Sequence, residues 1–194
     1  MTLDLNILNK YISEGLVVKN DHPTLPISIY NYSRTCQYEN KWDEITKMCR
    51  GLILDQEGNV IAKGFDKFFN IEEHQPDEIP NETFEVFEKL DGSLGILFWY
   101  QGKWILATKG SFTSDQSVRA KEILKKYNFE PIPKGYTTLV EILYPENRIV
   151  CDYNTVKVLD MADIDGSQNF RVIMRYTAST QFGIGQDIAI HIPN

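Results

Sequence analysis

Phe84-Glu85-Val86-Phe87-Glu88-Lys89-Leu90-Asp91-Gly92-Ser93-Leu94-Gly95-Ile96-Leu97-Phe98-Trp99-Tyr100 is one apolar run, a charged and glycine-containing break, and a second apolar run. Short runs rich in aromatic and branched residues, bounded by turn residues, read as strands. Next comes Gln101-Gly102, a two-residue turn into Lys103 to Ala107, so Leu94 to Tyr100 forms one arm of a hairpin. Outward from it, apolar runs recur at Ile27 to Tyr32, Gly51 to Leu54, Val60 to Ala62, Thr138 to Leu143, Arg148 to Cys151, Val156 to Met161 and Phe170 to Met174. A second hairpin turn is read at Asp55-Gln56-Glu57-Gly58-Asn59.

Helices are few. Leu5, Leu8 and Ile12 fall three or four apart and predict a short amphipathic helix ending before Gly15. A second helix is predicted from about Ser114 to Tyr127, with Ser114 and Asp115 as caps and an apolar face of Val118, Ile123, Leu124 and Tyr127. The pattern is a single α+β domain over residues 1–194, built mainly on antiparallel sheet.

The 194-residue chain carries 20 Lys and Arg against 27 Asp and Glu, a net charge of −7. Any contact with nucleic acid therefore has to come from a local basic patch. Cys36, Cys49 and Cys151 share no metal or redox spacing and read as free thiols, which suits a reducing, cytoplasmic setting. No run approaches the ~20 apolar residues of a membrane span, and the N-terminus lacks the features of a secretion signal.

Lys89 stands at a strand end as a candidate nucleophile. Only about 0.04% of an unperturbed lysine is the neutral amine at pH 7, so such a site has to disfavour the ammonium by about 4 to 5 kcal/mol. The flanking apolar strands offer burial, and nearby cations would act in the same direction. Asp91 falls on the same side by strand alternation, where it can orient the amine or take its proton, and Gly92 is read as a close-approach or positive-φ residue. The alternative is an ordinary Asp-Gly turn beside a solvated lysine. K-x-D-G arises by chance in roughly one chain in twenty of this length.

Four further blocks surround it in order: Met48 to Asp55, Phe65-Asp66-Lys67-Phe68-Phe69-Asn70, Ala107-Thr108-Lys109-Gly110-Ser111, and Leu139 to Val150. With Glu88 to Gly95 they resemble the ATP-dependent RNA ligases of the T-even phage type, within the covalent nucleotidyltransferases that include DNA ligases and capping enzymes. The resemblance implies a nucleotidyltransferase fold and a Lys89 that takes AMP from ATP. The AMP would then pass to a 5′-phosphate RNA end and be displaced by a 3′-hydroxyl. It also implies that Arg50 contacts ATP phosphates or the RNA end and that Lys67 lies near the outer phosphates. Phe69 is an important aromatic in that segment, Lys109 belongs to the K-G-S element, and Glu141 lies near the nucleoside sugar. Glu88 and Gly92 belong to the block around the lysine. Cations on a triphosphate and Mg²⁺ on oxygen donors are what such chemistry requires.

Phe68 and Phe69 are neighbours of which alternation sends one to the core. His22, His74 and His191 have no partner at useful spacing; Lys121, Lys125 and Lys126 read as a solvated helix face, and Arg148 as either a phosphate contact or a loop ion pair. The family's downstream E-G and K-x-K elements have no recognisable counterpart: Asp165-Gly166 lacks a following apolar strand. A chain cut before the end of its catalytic domain, a naturally short gene and a partner that supplies the strands all account for this. The expectation is an RNA ligase or its N-terminal part. The alternatives are a nucleotide- or RNA-end-binding module without turnover, and a DNA ligase or capping-type transferase.

Overall fold

In the computed structural model, residues 1–78, 92–129, 132–144 and 146 are described, together with the strand backbones of 157–159, 172–175 and 187–190. Two antiparallel sheets face each other. The first has the order β1 (Val17–Asp21), β2 (Ile27–Tyr32), β3 (Arg50–Asp55), β4 (Val60–Lys63). Its outer face is covered by α1 (Leu5–Ser13), and α2 (Arg34–Tyr38) and α3 (Glu44–Met48) fill the connection from β2 to β3. In the second sheet, β5 (Ser93–Tyr100) pairs with β6 (Lys103–Thr108) on one side and, beyond α4 (Asp115–Leu124), with β7 (Thr137–Leu143) on the other. The far edge of β7 carries β8 (Lys157–Leu159) and β9 (Val172–Arg175), and β10 (Asp187–Ile190) pairs with β9.

Side-chain alternation sorts the core into three layers. Between the sheets, Ile27, Ile29, Ile53 and Ala62 meet Ile96, Phe98, Ile105, Ala107 and Leu139. Behind the second sheet, Leu97, Leu106, Val140 and Ile142 meet Ala120, Ile123 and Leu124 of α4. Leu8 of α1 packs with Tyr30, Leu52 and Leu54 on the outside of the first sheet. Burying each large aliphatic side chain stabilises the fold by about 1.5–3 kcal/mol.

The sheets come into close contact at Gly51, whose φ is +76°. A Cβ there would lie 2.3 Å from Ile96 Cδ1 and 3.5 Å from the Lys109 carbonyl oxygen, so only glycine fits both the backbone and the space.

Both predicted hairpins form, with Tyr100 paired to Lys103 and Asp55 closing the other loop by accepting from the Asn59 amide at 2.8 Å. The C-terminal helix prediction needs one correction. Val118 is 53% exposed, and the face turned to the sheet is Ser117, Ala120, Ile123 and Leu124. The Ser117 hydroxyl reaches the carbonyls of Leu106 and Phe112 at 3.2 and 2.9 Å, which lets a polar residue sit at 0% exposure. Lys121 is also not a solvated residue: its Nζ donates to the Phe112 carbonyl at 2.7 Å. Cys36 and Cys49 are buried free thiols, and burial pushes the Cys49 thiol up to about 12. Among the described residues no helix is long and apolar enough to cross a membrane. The predicted strands Phe84 to Phe87 and Arg148 to Cys151 lie outside the described residues, as do His191 and Cys151.

A candidate polyanion site at the end of the two sheets

Sheet register brings the later blocks together. Leu94 pairs with Glu141 on β7 while Gly95 pairs with Thr108 on β6, so Lys109, which follows Thr108, and Glu141 flank the start of β5. Glu141 shares a face with Leu139 and therefore points toward the first sheet. Its Oε1 accepts a hydrogen bond from the Gly92 amide at 2.9 Å. Gly92 is a close-approach glycine: a Cβ would lie 2.6 Å from the Ile142 carbonyl oxygen and 2.4 Å from Leu143 Cδ2. Lys109 begins a tight loop, closed by the Thr108 amide donating to the Ser111 carbonyl at 2.9 Å and held to β1 by Asn20 Nδ2 on the Gly110 carbonyl at 2.7 Å.

The first sheet contributes the remaining cations. Arg50 opens β3 opposite Asn31, beside the β2 register shift at Tyr30 and Asn31. Its Nη1 donates to the Phe65 carbonyl at 3.4 Å and its guanidinium lies 5.0 Å from the centre of the Phe68 ring. The Lys67 amide donates to the Lys47 carbonyl at 2.9 Å, tying the segment after β4 to α3. Lys67 Nζ donates to the Phe68 carbonyl and stands 4.0 Å from the Phe69 ring and 5.6 Å from the Trp42 ring.

Edge-to-face contacts join these groups in one aromatic row. Tyr32 meets Trp42 at 4.9 Å, Trp42 meets Phe69 at 5.7 Å, and Phe69 meets His74 at 6.1 Å. Lys109 lies at one end, its Nζ 3.5 Å from the Tyr32 hydroxyl and 5.0 Å from that ring. Lys47 joins Lys67 on Phe69, 5.7 Å from its centre. Among the described residues, none of Lys47, Arg50, Lys67 and Lys109 forms an ion pair with a carboxylate. Four cations that pair with no carboxylate among the described residues, in a chain of net charge −7, make a local group of positive charge of the kind that suits phosphates.

Of the residues expected from sequence, the structure thus gathers Arg50, Lys67, Phe69 and Lys109, and joins Gly92 to Glu141 at the adjoining strand ends. Lys89, Glu88, Asp91 and Arg148 lie outside the described residues. Tyr32, Trp42 and Lys47 were not expected. They come from β2, the loop before α3 and α3 itself, with no spacing in the sequence that links them to Lys67. Phe68 is 60% exposed rather than a core residue, and Phe69 belongs to the aromatic row. His22 has backbone partners: its Nδ1 accepts from the Thr24 and Leu25 amides, both at 3.1 Å.

Antiparallel sheets with few helices define the class as an α+β protein. Comparison with known proteins gives the family. The family model described as RNA ligase matches residues 48–176, and the chain belongs to this T4-type RNA ligase family. A protein of Thermovibrio ammonificans described as "Putative RNA ligase" is 28% identical over 120 residues, covering 57% of this chain and 32% of its own length. A "Putative bifunctional polynucleotide kinase/RNA ligase" of Autographa californica nuclear polyhedrosis virus is 32% identical over 173 residues, 71% of this chain and 25% of its own. An "RNA ligase" of Rhodothermus phage RM378 is 24% identical over 192 residues, 75% of this chain and 42% of its own. The chain therefore spans 25–42% of the length of these three relatives.

Proposed function

We propose that the chain carries the adenylyl-transfer site of an ATP-dependent RNA ligase, within a nucleotidyltransferase domain. The neutral amine of Lys89 attacks the α-phosphorus of ATP. A P–N bond forms, the bond to the pyrophosphate oxygen breaks, and the amine gives up a proton, for which Asp91 is the neighbouring acceptor. The AMP is then transferred to a 5′-phosphate RNA end, freeing the lysine, and a 3′-hydroxyl displaces AMP to join the strands. Lys67 and Lys109 hold the polyphosphate and the charge that develops on departing pyrophosphate, and Arg50 takes the phosphate of the RNA end.

The single observation that supports this reading is a group of four cations that pair with no carboxylate among the described residues, Lys47, Lys67 and Lys109 on the row Tyr32, Trp42, Phe69 and Arg50 on the neighbouring Phe68 ring. Mg²⁺ would arrive on the triphosphate and supply charge neutralisation there. Among the described residues no group of three or more His, Cys, Asp or Glu is placed to hold a metal, and one carboxylate, Glu141, fits an ion that keeps most of its waters. The test is incubation of the chain with Mg²⁺ and α-labelled ATP followed by denaturation. Label should remain on the protein and be absent from Lys89→Ala; no label on the unaltered chain with any divalent metal refutes the proposal.

A second reading, ATP or RNA-end binding without transfer, rests on the same cation group, which needs no nucleophile to hold a phosphate. It predicts calorimetric ATP binding that survives Lys89→Ala and leaves no adduct.

A further inference from the structure

Phe68 is a large apolar side chain left 60% exposed beside Arg50 and Lys67. Isolated exposed hydrophobics are ordinary on protein surfaces, so exposure alone says nothing. What distinguishes Phe68 is its surroundings. The other large hydrophobics exposed among the described residues are Met1, Ile7, Val18, Tyr38 and Val118; Tyr38 is the one other aromatic, and it has no cation on its ring. Phe68 holds the Arg50 guanidinium 5.0 Å from its centre, and its own carbonyl accepts from Lys67 Nζ. Among the described residues the Arg50 fork makes one hydrogen bond, from Nη1 to the Phe65 carbonyl, which leaves N–H groups for an incoming anion.

We propose that Phe68 is a stacking platform for a base of single-stranded RNA, with the phosphate of that nucleotide taken by Arg50. This rests on the reading of the chain as an RNA ligase and adds how the strand is held. A flat ring with a cation beside it is the arrangement that grips single-stranded nucleic acid: stacking accepts any base, and the cations follow the backbone. Phe69 has a different part, since its ring is committed to Trp42, Lys67 and Lys47. The adjacent phenylalanines divide the work, one facing the ligand and one supporting the lysines.

Fluorescence anisotropy with a labelled 5′-phosphorylated single-stranded RNA tests this on the unaltered chain, Phe68→Leu and Phe68→Trp, with calorimetric ATP binding measured on each. Leucine keeps apolar bulk and removes the π face; tryptophan restores it. RNA affinity should fall about five- to tenfold in Phe68→Leu and return to within about twofold in Phe68→Trp, with the ATP affinities nearly equal. Phe68→Leu binding RNA like the unaltered chain overturns the proposal, as does an unaltered chain that binds no RNA. An equal loss of ATP affinity also overturns it, because the ring would then serve adenine. The adduct assay separates this outcome from the ligase reading: a stacking effect on RNA without lysyl-AMP removes the ligase reading and leaves the platform standing.

Discussion

The Gly92 amide donates to Glu141 Oε1 at 2.9 Å, joining the start of β5 to the carboxylate on β7. This bond lies three residues downstream of Lys89 in the chain and fixes one oxygen of Glu141. Gly92→Ala should break the arrangement, because its Cβ would lie 2.6 Å from the Ile142 carbonyl oxygen and 3.1 Å from Glu141 Cγ. Backbone has to move, at a cost of about 1–3 kcal/mol in stability. Adduct formation should fall on the order of 10²-fold, since displacement of reacting groups by about 1 Å costs that much. Thermal melting and α-labelled ATP measure the two effects.

Lys67 and Phe69 predict a graded series. Lys67→Met removes a phosphate-binding charge, whereas Phe69→Leu keeps the charge and removes the ring 4.0 Å from it. The cation–ring contact is worth about 0.5–1 kcal/mol at a partly exposed site. Calorimetry should therefore show ATP binding weakened two- to fivefold by Phe69→Leu, by roughly that conversion, and more by Lys67→Met. Equal effects would place the ring, not the charge, in control of binding.

Helix α3 is short and depends on its cap. Asp43 Oδ1 accepts from the Thr46 amide at 2.8 Å, Thr46 Oγ1 accepts from the Asp43 amide at 2.8 Å, and Asp43 Oδ2 accepts from the Tyr11 hydroxyl at 2.6 Å. Asp43→Ala should cost about 0.5–2 kcal/mol, read as roughly 2–4 °C in Tm per kcal/mol. Trp42 precedes the cap and Lys47 follows it on the helix, so ATP binding should weaken with the melting temperature.

His22 gives a pH dependence. Burial, and then the charges of Lys121 and Lys103, hold its pKa below the usual 6.5. The folded state therefore prefers the neutral ring, whose Nδ1 accepts from two amides. Its contribution is full above pH 6.5 and is lost as pH falls from 6.5 through the lowered folded value, because the unfolded chain takes up the proton first. In His22→Asn an acceptor is kept and titration removed, so Tm should fall less between pH 7.5 and pH 5 than in the unaltered chain.

The strands were legible where apolar runs met turn residues, and β1 and β10 were not among those read. Val17-Val18-Lys19-Asn20-Asp21 is an edge strand with Val17 buried and the rest exposed, so it has no alternation to detect. Helices α2 and α3 have five residues each, too few to show a period. Val118 was misplaced because α4 sits close to β6 and turns its small residues, Ser117 and Ala120, to the sheet. The ordered blocks named Arg50, Lys67, Lys109 and Glu141 as expectations. Trp42 and Lys47 join them by folding alone, and no local pattern announces a contact made across separate elements.

Gly51 sets the gauge of the site. Arg50 is carried by one sheet and Lys109 by the other, and the two sheets meet where a missing side chain lets Ile96 touch backbone. A substituent at Gly51 would act as a shim, separating the two sheets without deleting a charge. Because attraction falls with distance, the molecule's hold on a polyphosphate would then slacken through spacing alone.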